Sequence, residues 1–136
     1  MQKPYGTVLV VEDEVLIRLA AVDLVKSAGF EAVEAKDADE AIRIMEVRVE
    51  VSLVFTNIDM PGSMDGLKLT RYIRERWPRV LLIVASGKTI QDRSQLPEGV
   101  TFFPKPYAEQ AIAEAIIGML SSGHDGHAPA SARILS

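Results

Sequence analysis

The sequence predicts an α/β fold: a single domain built on a parallel sheet of five strands, wound with helices on both faces. Three observations lead there. Short apolar, β-branched runs alternate with longer amphipathic ones along the chain. A strand–helix alternation repeated five times gives a parallel sheet covered on both sides. The 136 residues suffice for one domain of ordinary size and are too few for two. The composition, 48% hydrophobic and 25% charged with a mean hydropathy of +0.12, fits one buried core and excludes disorder, a fibrous repeat and a coiled coil.

The elements follow in order. Gly6 to Val11 is uninterrupted and β-branched, as a strand buried on both faces must be. A helix is expected from about Glu14 to Ala28, its core stripe set at Leu16, Ala20 and Leu24, with Gly29 as a left-handed stop. Phe30 to Ala35 reads as a short strand. Asp37 and Glu40 have the spacing of a helix cap, and Ala38, Ala41, Ile42 and Met45 make the apolar stripe of the second helix. Val51 to Phe55 is the third strand, ending at Thr56-Asn57. A loop full of turn residues runs from Ile58 to Gly66. Leu69, Ile73 and Trp77 mark the third helix, which must stop before Pro78. Val80 to Ala85 and Gly99 to Phe103 are the last two strands, separated by Lys88 to Leu96, long enough only for a short polar helix. Ala108 to Leu120 is the final helix, with Ile112, Ile116 and Met119 on one face. Residues 121–136 read as a flexible tail beyond a domain spanning residues 6–120.

Charge and composition narrow the function. Fifteen basic and nineteen acidic residues give a net charge of −4, which argues against non-specific nucleic-acid binding. No apolar run approaches the roughly 18 residues of a membrane span, and no signal-like segment opens the chain, so a cytoplasmic protein without a membrane partner is expected. There is no cysteine, which excludes disulfide and thiol chemistry. His124 and His127 have metal-like spacing but sit in a Gly/Ser/Ala/Pro-rich tail without further ligands, and they carry no site. Arg71, Arg74, Arg76 and Arg79 read as a solvated helix face, because Glu75 interrupts them and no aromatic ladder accompanies them.

In a doubly wound sheet the ligand site lies beyond the carboxyl ends of the central strands. The residues there are Glu12 and Asp13 after the first strand, Asn57 after the third, Ser86 after the fourth and Lys105 after the fifth. Singly, each has an ordinary explanation: acids at a helix start, turn-forming Asp59 and Asp65, a loop hydroxyl, a lysine between prolines. Together they offer carboxylates for a hard divalent cation, a hydroxyl, and an ammonium for an anion.

Glu12-Asp13, the run Thr56-Asn-Ile-Asp-Met-Pro-Gly-Ser-Met-Asp-Gly66, Ala85-Ser-Gly87 and Phe102-Phe-Pro-Lys-Pro106 resemble, in order and spacing, the receiver domain of bacterial two-component response regulators. The resemblance covers about residues 6 to 120. It implies the flavodoxin-like (βα)5 fold, a phosphorelay role without enzymatic turnover of its own, and a histidine kinase or histidine phosphotransfer protein as partner. It implies Mg2+ as cofactor, held by Asp13 directly, by Glu12 through water, by residue 57 and by the backbone carbonyl of Asp59. Ser86 matches the switch hydroxyl, Lys105 the lysine that pairs with a phosphoryl oxygen, and Phe102 the switch aromatic. The Lys105–Pro106 peptide is expected to be cis, as in many family members. Asp59 and Lys88 are expected to pair at the mouth of the site.

One departure governs the rest: the family's phosphoacceptor aspartate is here Asn57. A carboxamide is neutral and a poor nucleophile, so residue 57 as it stands forms no acyl phosphate. Asp59 lies in the loop, where the close alignment of in-line attack is not expected. Two explanations stand: a substituted form locked in its unphosphorylated state, or a receiver-like interaction module that works without phosphorylation. A third reading, a phosphatase similar to the haloacid dehalogenases on the strength of Asn57-Ile-Asp59, lacks both nucleophile and cap domain. Two carboxylates ~4 Å apart repel by about 1 kcal/mol in water and about 4 kcal/mol at an effective dielectric of 20. Loss of one is therefore expected to weaken Mg2+ binding and to stabilise the metal-free fold relative to Asn57→Asp. The stretch from Ser86 to Phe102 is about a turn shorter than in many receivers, which implies a stunted fourth helix and argues against the family's usual symmetric dimer. The loop from Pro61 to Gly66 is one residue longer than the commonest form. The residues beyond the domain are too few for a DNA-binding output, so output by protein contact is expected, or the chain is a piece of a larger regulator.

Overall fold

A computed structural model of the chain describes residues 6–57, 66–87 and 96–123. Five strands form one parallel sheet: β1 (Thr7–Val11), β2 (Glu31–Ala35), β3 (Val51–Asn57), β4 (Leu81–Ser86) and β5 (Val100–Pro104). Four helices are described around it: α1 (Val15–Ser27), α2 (Ala38–Val47), α3 (Gly66–Arg76) and α4 (Glu109–Gly123). The strand order is β2-β1-β3-β4-β5, the doubly wound order whose crossover direction reverses between β1 and β3.

Strand side chains alternate between two cores. Leu9 and Val11 of β1 join Val54, Leu82, Val84 and Phe102 under α2 and α3. Val8 and Val10 join Leu53, Phe55, Ile83 and Phe103 under α1 and α4. A strand whose neighbours alternate between two apolar layers can carry no polar residue in its middle, which is why β1 reads as a continuous apolar run.

The punctuation falls where the sequence sets it. The Asp37 side chain accepts from the Glu40 amide at 2.8 Å, and the Glu40 carboxylate accepts from the Lys36 amide at 2.8 Å, a reciprocal cap on α2. Gly29 ends α1 at φ +100°, a conformation that disfavours any side chain. The Lys105–Pro106 peptide is cis, as expected.

Three expectations change. The stripe Leu16–Ala20–Leu24 does not face the core: α1 buries Ala21, Val22 and Val25, while Leu16 is 78% exposed. The reason is that Val15–Val25 is apolar nearly all round, so its periodicity does not single out a face. The final helix continues to Gly123, three residues into the expected tail. The arginines around α3 are not uniformly solvated. The half-buried Arg74 guanidinium donates to the carbonyls of Pro78 (2.8 Å) and Val80 (3.2 Å), and burial pulls its pKa down. Arg76 lies 5.0 Å over the Trp77 ring. The short helix expected between β4 and β5, Asp65, and the tail histidines His124 and His127 lie outside the described residues.

These burials predict a sharp contrast. Leu53→Ala, in the fully buried centre of β3, is expected to cost about 2–5 kcal/mol in denaturant unfolding. Leu16→Ala should stay within about 0.5 kcal/mol of the parent; a large loss there would restore the expected core stripe.

Candidate functional site

The reversal between β1 and β3 leaves a crevice at the carboxyl ends of these strands. The chain places acids and amide there. Glu12 directly follows β1, and its amide donates to the Ala35 carbonyl at the end of β2 (3.0 Å). Its side chain turns inward and is almost fully buried. One carboxylate oxygen accepts from the Glu14 amide at 3.1 Å, where α1 begins. The other accepts from Nδ2 of Asn57, the last residue of β3, also at 3.1 Å.

The remaining strand ends arrive by register. Asn57 pairs across to Ala85, so Ser86 lies one residue further out on β4, buried. The Lys105 amide donates to the Ser86 carbonyl at 2.8 Å, which extends the β4–β5 ladder past Pro104 and holds Lys105 beside Ser86. Glu12, Asn57, Lys105 and Tyr107 line one small cavity with Ile17, Phe55 and Ala85. Its volume, about 10 Å³, is room for about one water molecule rather than a metabolite. Asp13 is exposed at the rim. Phe102 points into the α2–α3 core.

The structure thus brings Glu12, Asn57 and Lys105 into one cavity, with Asp13 and Ser86 adjoining. Asp59 and Lys88 lie outside the described residues. Two contributors escaped the sequence reading. Tyr107 packs edge-on to Phe55 at 6.1 Å between ring centres, and burial, then Glu12 and Glu109, push its hydroxyl pKa up. Arg18 donates to the Glu12 carbonyl at 2.9 Å from a position six residues along α1. Only the general preference for arginine in carbonyl and carboxylate forks hints at such a role.

The Glu12 carboxyl pKa is raised, first by burial and further by the neighbouring Asp13 carboxyl. The Glu14 amide, the Asn57 amide and the Lys105 charge oppose that rise. Two carboxylates and the Asn57 side-chain oxygen are hard oxygen donors of the kind Mg2+ takes. No cluster of three or more acidic, histidine or cysteine residues converges among the described residues. The donor set fits one divalent cation, and Asn57 Nδ2 donates to one of the Glu12 oxygens that would share it.

A model of the response regulator receiver domain matches residues 8–117. The sensor kinase CckA of Brucella abortus is 36% identical over 85% of the chain, and the response regulator protein FleR of Pseudomonas aeruginosa 33% identical over 94%. The chain spans only 12% and 29% of the length of these two proteins. Among solved structures, the receiver domain of the hybrid histidine kinase CckA superposes with a TM-score of 0.69 at 33% identity, covering 85% of this chain and 99% of that one. A response regulator receiver protein from Sinorhizobium medicae shares the fold at TM-score 0.80 and 22% identity, with 87% and 96% covered.

The raised pKa of Glu12 sets a pH dependence. The folded chain holds a proton at Glu12 that the unfolded chain, titrating near 4.5, releases earlier. Stability from this group is present below that pH and is lost as pH rises through the folded value. Glu12→Gln is expected to flatten the stability–pH curve above pH 4.5 in urea unfolding; an unchanged slope would mean Glu12 ionises without hindrance.

Proposed function

The chain belongs to the response regulator receiver domain family of two-component signalling, and from that premise we propose that its crevice is a phosphoryl-acceptor site in which Asn57 stands for the accepting carboxylate. Receiver domains are generally signalling modules rather than enzymes, bind Mg2+ at the phosphorylation site, and interact with histidine kinases or phosphotransfer proteins. The observation that carries the proposal is the placement of Asn57 at the end of β3, hydrogen-bonded to Glu12 and sharing a cavity with Lys105.

With aspartate at position 57, a carboxylate oxygen attacks phosphorus of a phosphohistidine, the phosphorus–nitrogen bond breaks, and the imidazole leaves with a proton from solvent. The Lys105 ammonium pairs with a phosphoryl oxygen, and the Ser86 hydroxyl turns toward another. Phe102 then exchanges its inward position for one at the surface, the two-state change that transmits the event. Glu12, Asp13, the side-chain oxygen of residue 57 and the Asp59 carbonyl would hold Mg2+, which neutralises phosphoryl charge. With Asn57 the attacking step is absent, and the chain stays unphosphorylated.

The partner meets the domain on α1. Val15, Leu16, Ile17 and Leu19 are exposed there, beginning four residues from the end of β1. Leu16, Ala20 and Leu24 line a groove that runs to Phe55 and Tyr107, beside the cavity. An apolar helix face next to a phosphoryl site suits the helices of a histidine-bearing protein.

The second reading is a receiver-like interaction module, native with Asn57. The hydrogen bond between Asn57 and Glu12 favours it, because the crevice then satisfies its own acid without a cation. In that reading the surface signals in one fixed state.

Mass spectrometry with a small phosphoryl donor, acetyl phosphate or phosphoramidate, and Mg2+ tests the site. Asn57→Asp is expected to gain one phosphoryl group, stable to acid and labile to base. The parent should gain none; an adduct on the parent, or none on Asn57→Asp, contradicts the proposal.

A further inference from the structure

Arg18 is the least expected group near the crevice. It sits on α1, one turn beyond the helix start, and its side chain is only 16% exposed. Nε donates to Oε1 of Glu34 on β2 at 3.0 Å, and a terminal nitrogen donates to the Glu12 carbonyl at 2.9 Å. One guanidinium therefore ties together α1, β2 and the turn that carries the acidic pair. The Glu12 amide is tied to β2 as well, through the Ala35 carbonyl.

We propose that Arg18, braced by Glu34, is a positioning residue that fixes the main chain of Glu12 so that its carboxyl reaches Asn57 and stands ready for a cation. Glu12 has little freedom once both its amide and its carbonyl are held. Its χ angles alone then decide where the carboxylate lies, and the Glu14 amide and Asn57 choose that place. Releasing the carbonyl frees the peptide between Glu12 and Asp13 to rotate, which moves both acids at once. The geometry needs two donors at a fixed separation, one for a carboxylate and one for a carbonyl. A guanidinium offers them and an ammonium does not.

Two other roles for Arg18 make different forecasts. If Arg18 acts only through its charge, removing a cation from beside two carboxylates raises divalent affinity. If the Arg18–Glu34 pair acts only as a surface ion pair, its loss changes stability slightly and leaves the crevice alone. Positioning predicts the opposite of the first and more than the second.

The test uses Arg18→Met, Arg18→Lys and Glu34→Gln in the otherwise unaltered protein. The side-chain amide of Asn57 is read by two-dimensional nitrogen–proton NMR without metal, and Mg2+ or Mn2+ affinity by titration. Arg18→Met is expected to shift the Asn57 amide protons toward the free-amide position and speed their exchange. It should also weaken divalent binding about tenfold, the low end for a residue that orients a ligand from behind. Arg18→Lys should fail to restore either readout, and Glu34→Gln should move both in the same direction by less. An unmoved Asn57 amide in Arg18→Met, or tighter divalent binding, would overturn the proposal. The inference rests on reading Glu12 and Asp13 as the cation site, yet its amide readout needs no phosphoryl transfer. Failure of Asn57→Asp to take a phosphoryl group would therefore be seen separately.

Discussion

The arrangement at the crevice depends on one hydrogen bond, from the Asn57 amide to the buried carboxyl of Glu12. A carboxylate taken out of water beside a second carboxylate is costly unless donors meet its lone pairs. Here the Glu14 amide meets one oxygen and Asn57 the other, with the Lys105 charge nearby. An aspartate at position 57 offers no donor. It would add a third negative charge to the same crevice and leave a Glu12 oxygen in need of a cation. On the proposed reading, the residue that removes the nucleophile also supplies the donor a cation would otherwise replace.

The fold delivers these groups with little local effort. Parallel strands in the order β2-β1-β3-β4-β5 place every strand's carboxyl end on one edge, and the reversal between β1 and β3 opens a gap there. Glu12 and Asn57 meet at that gap because one directly follows β1 and the other is the last residue of β3, its partner in the sheet. Lys105 is held next to Ser86 by a main-chain bond that continues the β4–β5 ladder. The same edge carries the exposed apolar turns of α1. The candidate site and the exposed apolar face of α1 therefore share one side of the sheet.

Much of this was legible in the sequence, for reasons that differ by residue. Strands buried on both faces announce themselves as apolar runs, so β1, β3 and β4 needed no tertiary information. Asp37 with Glu40, and Gly29, act within a few residues of themselves, and local spacing encodes such effects. Strand-end residues follow from topology once the alternation is seen, which is how Glu12, Asn57, Ser86 and Lys105 were placed. The face of α1 was not legible, because leucines and valines surround that helix and only packing against β1 and β2 selects Ala21, Val22 and Val25. Arg18 was not legible either. Its partners lie six residues back and sixteen residues on, and no period of helix or strand relates them. Arg74 misled for the same reason: its charge suggested solvent, while the carbonyls after α3 turned it inward.

On the proposed reading, a neutral amide at position 57 stands in for both a nucleophile and the need for a cation. Thermal denaturation of the parent and of Asn57→Asp, each with and without Mg2+, tests it most directly. Asn57→Asp is expected to melt lower than the parent in metal-free buffer and to gain more from Mg2+. Equal melting temperatures without metal, together with equal gains from Mg2+, would contradict it.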